Sequence, residues 1–452
     1  MKDKLQALRG SDRLRARTLR GMMASVMLSF GTQGLRLISN LVLTRLLFPE
    51  AFGLIALVQV VLMGLQMVSE VGLHAAVIQN KRADEPVFLH TVWGIQILRN
   101  GLLWLIACAA APFFAWLYEE PMLLSILPVA GFSLVISGFH TTRILQVQRH
   151  MNLGLFSTLT IVTHALGLTA TGLLAWWLGT VWALAYGMIA QSTISLLVYA
   201  YFLPGVKDRF RLDKETVFEI MNFGKFLFFS SAATYVISNS DRIILGLFIP
   251  LDLLGVYGLA LALGTLPIML STNIAHSVVF PLYRLCHPMD ALENQTKIFK
   301  LRRLIALASL SINAILAALG PWLVGLLYDD RYALAGGIII LLCASAVPNI
   351  VMNGAMNAAL VRGDSFRFMV ANVAIALSQT ILMYIAVSSL GVVGAPLAMV
   401  CAPILTYPLI AKYLKRYGNF DFIGDIGLMI LGFAVCGMIC MLHVDAILQL
   451  LP

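Results

Sequence analysis

Four arginines, Arg36, Arg45, Arg99 and Arg242, lie within or at the edges of long apolar runs. Charge inside a membrane-length apolar segment is costly and is usually retained for function, so these residues are the first candidates for a site. Arginine offers a planar fork of donors suited to phosphate or carboxylate and keeps its proton when partly desolvated. Helical geometry, with i, i+3, i+4 and i+7 on one face, extends them into polar stripes. Gln33, Arg36, Asn40 and Thr44 share one face, and Gln59, Gln66, Glu70 and His74 share another. Ser231, Thr234, Ser238 and Arg242 form a third, with Asp241 at its margin. Thr265, Thr272 and His276 form a fourth, and Asn349, Asn353 and Asn357 make a ladder.

The chemistry these patterns suit is capture of an anionic headgroup in a water-filled cavity. Arg36, Asn40, Glu70, Arg99, Asp241 and Arg242 are its candidate residues, with Arg45, Gln33, Gln66 and Asn353 as secondary contacts. A structural alternative stands beside it. Arg36 would pair with Glu70 and Arg242 with Asp241, the hydroxyls and amides would bond between helices, and Arg45 and Arg99 would snorkel to the interface. His74 and His276 titrate near physiological pH and suit either a proton-linked gate or a hydrogen-bonded structural role.

The elements that must position these residues follow from composition. The chain has 452 residues, 60% hydrophobic and 12% charged, with a mean hydropathy of +0.88. A soluble domain carries charge on about a quarter of its residues. Spans of about 20 apolar residues are expected near 22–47, 51–78, 88–117, 122–143, 153–176, 179–203, 222–247, 252–280, 303–327, 332–360, 367–388 and 392–413. A probable thirteenth lies at 425–444. Of the 31 Lys and Arg, all but the four arginines above and Arg331 fall in alternate gaps between these runs. That is the positive-inside pattern of a multi-pass inner-membrane protein with a cytoplasmic N-terminus. It accounts for the net charge of +9 without a nucleic-acid partner. The basic N-terminus precedes an apolar run too long for a signal peptide, so an uncleaved first helix is expected.

The two halves share short sequences in order. Ile38-Ser39-Asn40 recurs as Ile237-Ser238-Asn239, and Ser69, His74 and Val77 recur as Ser271, His276 and Val279. Leu178-Gly179-x-Val181-x-Ala183 matches Leu390-Gly391-x-Val393-x-Ala395, and Tyr118-Glu119-Glu120 matches Tyr328-Asp329-Asp330. Six crossings return the chain to its starting side, so the repeats are parallel, giving two six-helix lobes around a central cavity. The expected division is a basic N-terminus at 1–20, an N-lobe at 21–204, a cytoplasmic linker at 205–221, a C-lobe at 222–414 and an extra helix within 415–452.

Enzyme signals are missing: there is no Walker A motif, GxSxG or HExxH. The six cysteines form no CxxC pair, so neither a metal nor a cofactor is expected.

Thr44-Arg45-Leu46-Leu47-Phe48-Pro49-Glu50-Ala51-Phe52-Gly53 resembles the first helix-turn of the polysaccharide-transport (Wzx-like) flippases of the MOP superfamily. Asp241-Arg242-Ile243-Ile244-Leu245-Gly246, running on through Leu254-Gly255-Val256-Tyr257 to Phe280-Pro281-Leu282, is similar to that family's helix 7–8 signature. Gln148-Arg149 and Ala359-Leu360-x-x-Gly363 resemble its internal loops. The resemblance implies an all-α MATE-like fold that carries an undecaprenyl-diphosphate-linked oligosaccharide outward by alternating access. The expected partners are that lipid-linked oligosaccharide, membrane lipids, and the polysaccharide polymerase and export machinery; coupling to H+ or Na+ is left open. The runner-up is a MATE-like antiporter of small cations, which should expose net acid in its cavity. A glycan polymerase or ligase would need a large external loop, and every external turn here is a few residues long.

Overall fold

The computed structural model describes residues 30–69, 85–149 and 153–450, with residues 28, 77, 80 and 82. Glu70 and His74 lie outside the described residues, as do 22–27 of the expected first span. The described backbone is helix and turn. Its elements are α1 (30–46), α2 (Pro49–Val68), α3 (Pro86–Leu117), α4 (Leu123–Gly138), α5 (Arg143–Arg149), α6 (Leu153–Leu178), α7 (Trp182–Phe202), α8 (Lys214–Phe248) and α9 (Leu251–Gly264). They continue as α10 (Leu266–Ile274), a π-helical turn (Ala275–Val279), α11 (Phe280–Leu285), α12 (Leu292–Leu327), α13 (Ala335–Met352), α14 (Asn357–Val361), α15 (Ser365–Leu390), α16 (Gly394–Arg416), α17 (Phe422–Leu442) and α18 (Val444–Leu448).

Among the described residues nine helical stretches are long and apolar enough to cross a membrane, or ten with the bent pair α4–α5 as one span. One of the nine, Phe366–Arg416, contains both α15 and α16. Trp116, Trp176, Trp177 and Trp322 are exposed near helix ends, where amphipathic rings sit at the membrane–water boundary.

Several expected spans are broken. The run at 122–143 divides into α4 and α5, bent by 62°. The Asp208 carboxylate causes this: it accepts the Thr141 and Thr142 hydroxyls, both at 2.5 Å, and the Thr142 backbone N–H at 3.1 Å. The carbonyls left at the end of α4 are taken up by Gln96, whose Nε2 lies 3.2 Å from those of Ser137, Gly138 and His140. The run at 252–280 breaks after α9 because Pro267 cannot donate to the preceding turn. The run at 332–360 stops at Asn353, and Gly354 adopts φ +71°, a left-handed conformation suited to glycine. The ladder of Asn349, Asn353 and Asn357 is therefore interrupted. Conversely, α8 and α12 begin earlier than expected. At α8 the Asp213 carboxylate caps the first turn, accepting the Thr216 N–H (3.0 Å) and hydroxyl (2.8 Å). Those bonds hold it below the usual carboxylate range.

The chain forms two units: residues up to Leu47 with Val61–Phe228, and Phe48–Val60 with Phe229 onward. In the first, α3 packs on α4 and α6 on α7. Arg143 donates to the carbonyls of Ala200, Leu203 and Val206, satisfying the C-terminal end of α7. In the second, α13 is the central helix, packed by α9, α12, α16 and α17, with Ile339, Ile340, Cys343 and Ala346 inaccessible. At the start of α2, Gly53 lies against the Leu251 carbonyl, while Gly255 lies against that of Pro49. A Cβ at either position would overlap main chain. The first turn of α17 is tied to α12 by a buried ion pair, Arg302 Nη2 to Asp425 Oδ1 at 3.2 Å. Next to it, Arg303 forks onto Asp421 with two bonds of 2.6 Å.

Candidate functional site

The first-unit site is a cavity of about 520 Å³ between α1 and α6. Two turns of α1 place Thr32, Gln33, Arg36 and Ser39 on its wall, as their three- and four-residue spacing requires. From α6 come Thr160 and His164, one turn apart, and three leucines complete the lining. Arg36 and His164 are exposed. Thr32 and Thr160 return their hydroxyl protons to the Leu28 and Phe156 carbonyls, both at 2.8 Å. Thr160 also accepts from Tyr199 (3.1 Å), which fixes the α6 wall against α7. Among the described residues the polar lining is thus a guanidinium, an imidazole, a carboxamide and hydroxyls, with no carboxylate. Its volume lies within the range of small-ligand sites. Its chemistry suits an anion bearing hydroxyl groups, such as a phosphorylated or acidic sugar.

The remaining first-unit candidates fall elsewhere. Arg99 is half-buried and donates to Ser69 Oγ (3.0 Å) and the Gln66 carbonyl (2.7 Å), bracing α3 against the end of α2. Gln66 enters through its main chain rather than its side chain in that contact. Asn40 lies one turn beyond Arg36 and does not line the cavity; its carbonyl accepts the Thr44 hydroxyl at 2.7 Å. Arg45 is exposed in the last turn of α1.

In the second unit, Asp241 and Arg242 lie in the last two turns of α8, while Asn353 and His276 lie elsewhere. Asp241 is 1% exposed, and its Oδ2 accepts the Tyr257 hydroxyl of α9 at 2.9 Å. Arg242 is partly buried. The neighbouring Ser240 Oγ and Ile237 carbonyl accept both protons of the Gln379 amide from α15, each at 2.9 Å. Asn353, at the break after α13, donates to Ser271 Oγ (3.1 Å) and Thr272 Oγ1 (3.0 Å) on α10. His276 lies in the π-helical turn.

Sequence reasoning missed two residues. His164 stands alone in an apolar run, although its i,i+4 spacing from Thr160 is the signal that marks a shared face. Tyr257 gave no signal as the partner of Asp241, because an aromatic in an apolar helix reads as core. Among the described residues no group of three His, Cys, Asp or Glu could hold a metal ion.

A family model described as "Polysaccharide biosynthesis protein" matches residues 42–335. The teichuronic acid biosynthesis protein TuaB of Bacillus subtilis (strain 168) is 21% identical over 302 residues, 66% of this chain and 62% of that protein. The lipopolysaccharide biosynthesis protein WzxC of Escherichia coli (strain K12) is 22% identical over 366 residues, 78% of this chain and 73% of that one. The match thus spans about three-fifths of the first relative's length. Among solved structures, the lipid II flippase MurJ in an inward closed conformation aligns with a TM-score of 0.68 at 13% identity, covering 95% of this chain and 97% of that one. An inward-facing multidrug-resistance MATE transporter of the MOP superfamily aligns with 0.59 at 16%, covering 91% and 95%. At these identities the likeness shows the fold, which is that of MOP-superfamily transporters.

Proposed function

The chain belongs to the polysaccharide biosynthesis protein family, and from that premise we propose that it is a flippase for a lipid-linked oligosaccharide. In this reading it carries an undecaprenyl-diphosphate-linked unit of O-antigen, capsule or exopolysaccharide from the cytoplasmic to the outer leaflet of the bacterial inner membrane. The observation that carries the reading is the set of donors on the described lining of the α1–α6 cavity, the Arg36 guanidinium, the His164 imidazole, the Gln33 carboxamide and hydroxyls. A guanidinium beside hydroxyls and a carboxamide satisfies a diphosphate and the sugar attached to it, and Arg36 and Arg242 are the two arginines assigned to that headgroup. Alternating access would be carried by two parallel six-helix lobes, at 21–204 and 222–414, joined through 205–221. The N-terminus and the basic loops face the cytoplasm, where the lipid-linked unit is loaded.

A carrier must release what it binds, so the two arginines have to differ in exposure between inward- and outward-open states. Deletion of the gene tests the proposal. The expected result is loss of surface polymer with intact lipid-linked oligosaccharide retained. A cation antiporter, the other activity this fold carries, would leave the polymer unchanged and raise sensitivity to cationic drugs; that outcome overturns the reading. The Arg36 guanidinium on the cavity wall argues against the antiporter, since it repels a cationic cargo.

A further inference from the structure

The last two turns of α16 gather three cations on one face. Lys412, Lys415 and Arg416 stand three and four residues apart along the helix, and all three are exposed. With Pro408 and Ala411 they line an open cavity of about 660 Å³. Other arginines around the turn that follows α16 are neutralised locally: Arg302, Arg303, Arg362 and Arg367 each pair with a carboxylate. Among the described residues none of the three cavity cations does; Lys415 instead rests over the Phe420 ring, 4.9 Å from its centroid. The negative end of the helix dipole offsets part of their mutual repulsion but supplies no counter-ion. Membrane insertion asks only that this gap hold cations, not that they share a face and a cavity.

The same face continues back along the helix as apolar surface. Leu397, Ile404 and Leu405 are 45%, 46% and 63% exposed. The helical repeat aligns them with Pro408, Lys412 and Arg416. They lie within a stretch long and apolar enough to cross a membrane, where an exposed apolar stripe meets acyl chains. The stripe turns basic at Pro408, in the order in which a phospholipid presents its tails and then its headgroup. One molecule therefore satisfies both parts, with hydrocarbon along the stripe and a phosphate in the cavity, bonded by the Arg416 fork and two ammonium groups. A soluble anion would leave the stripe unused, and an acidic protein would have to enter the membrane to cover it.

We propose that this end of α16 is a binding site for an anionic phospholipid of the bilayer, its phosphate on Lys412, Lys415 and Arg416 and its chains along 397–405. In the orientation proposed above, the lipid belongs to the cytoplasmic leaflet, whose surface is negative. Its effect is to brace the turn after α16, where Tyr417 and Asn419 accept hydrogen bonds from Arg367 of α15 and Arg302 of α12. The inference depends on membrane insertion and not on the cargo.

The test is native mass spectrometry of the purified full chain with phosphatidylglycerol and phosphatidylcholine supplied in equal amounts. The native chain should retain phosphatidylglycerol in preference. Each cation near an anionic surface is worth about fivefold in binding, so the triple variant Lys412→Gln, Lys415→Gln, Arg416→Gln should weaken it roughly a hundredfold. The linker variant Lys207→Gln, Arg209→Gln, Arg211→Gln removes the same charge elsewhere and should keep the preference. Equal retention of the two lipids by the native chain would overturn the proposal. So would an equal loss in both variants, which means that bulk charge alone is read. A second readout needs no variant: phosphatidylglycerol with a photoreactive acyl chain should label 397–416, and labelling confined to other segments counts against the site. Deletion of the gene bears on the cargo alone, so failure of the flippase reading leaves these results unchanged.

Discussion

At the scale of single residues, Arg36 carries the account. A hydrogen bond to a charged group is worth about 1.5–3 kcal/mol, so Arg36→Ala should lower polymer export roughly tenfold to a hundredfold at matched protein level. Arg36→Lys should recover part of that, because the charge returns without the planar fork. The Gln33–Arg36 stripe was legible because one helix determines its own face. Arg99 was not, since its partners Ser69 and Gln66 are thirty residues away and periodicity carries no tertiary contact. His287 supplies a test outside the membrane. Burial pushes its imidazole below the ordinary 6.5, against the opposing bond to the Ala358 carbonyl. The folded state therefore holds this proton less tightly than the unfolded chain. Its contribution is complete above 6.5 and is lost as pH falls through that value toward the lower folded one. Thermal unfolding in detergent should show that decline, flattened in His287→Gln.

At the scale of elements, the joints are the informative features. Hydropathy predicted unbroken runs at 122–143, 252–280 and 332–360. It could not register Asp208, Pro267 and Gly354, which break them by capture of threonines, loss of a donor and a left-handed turn. The crossing of α2 and α9 is sharper still. Gly53→Ala or Gly255→Ala would drive a methyl into a carbonyl of the facing helix, an overpacking that costs about 1–3 kcal/mol or more. Gly101, on α3, has open space around it, and alanine there should be neutral or stabilising by roughly 0.5–1 kcal/mol. Melting temperatures of the purified variants compare the two directly. The Arg302–Asp425 pair makes a second comparison. Removing either partner leaves a buried charge, at about 3–5 kcal/mol, whereas Arg302→Met combined with Asp425→Leu should be far milder.

At the scale of the whole molecule, the alternation of basic gaps with gaps nearly free of cations made the membrane class legible, because charge placement follows insertion rather than packing; the superfamily was legible only through the resemblance of the Thr44–Gly53 and Asp241–Gly246 segments. The partnering of helices was not legible, since apolar runs are interchangeable until small residues and buried polar groups select neighbours. Helix α17 shows the difference. Sequence marked it as a probable extra span, and the structure shows Asp421 and Asp425 fastening its first turn to Arg303 and Arg302 on α12. The proposed orientation puts those basic residues on the cytoplasmic side, so it predicts that a reporter fused after α17 is exposed outside the cell; a cytoplasmic reporter would overturn it.

The central claim is that a lipid-linked sugar changes leaflets. The most direct measurement is the accessibility of the lipid-linked oligosaccharide to a membrane-impermeant oxidant in spheroplasts. With the native chain present, a substantial fraction should be oxidised from outside. In the deletion strain, or with Arg36→Ala, the oligosaccharide should be equally abundant but sealed within. Equal outer exposure with and without the protein would contradict the account.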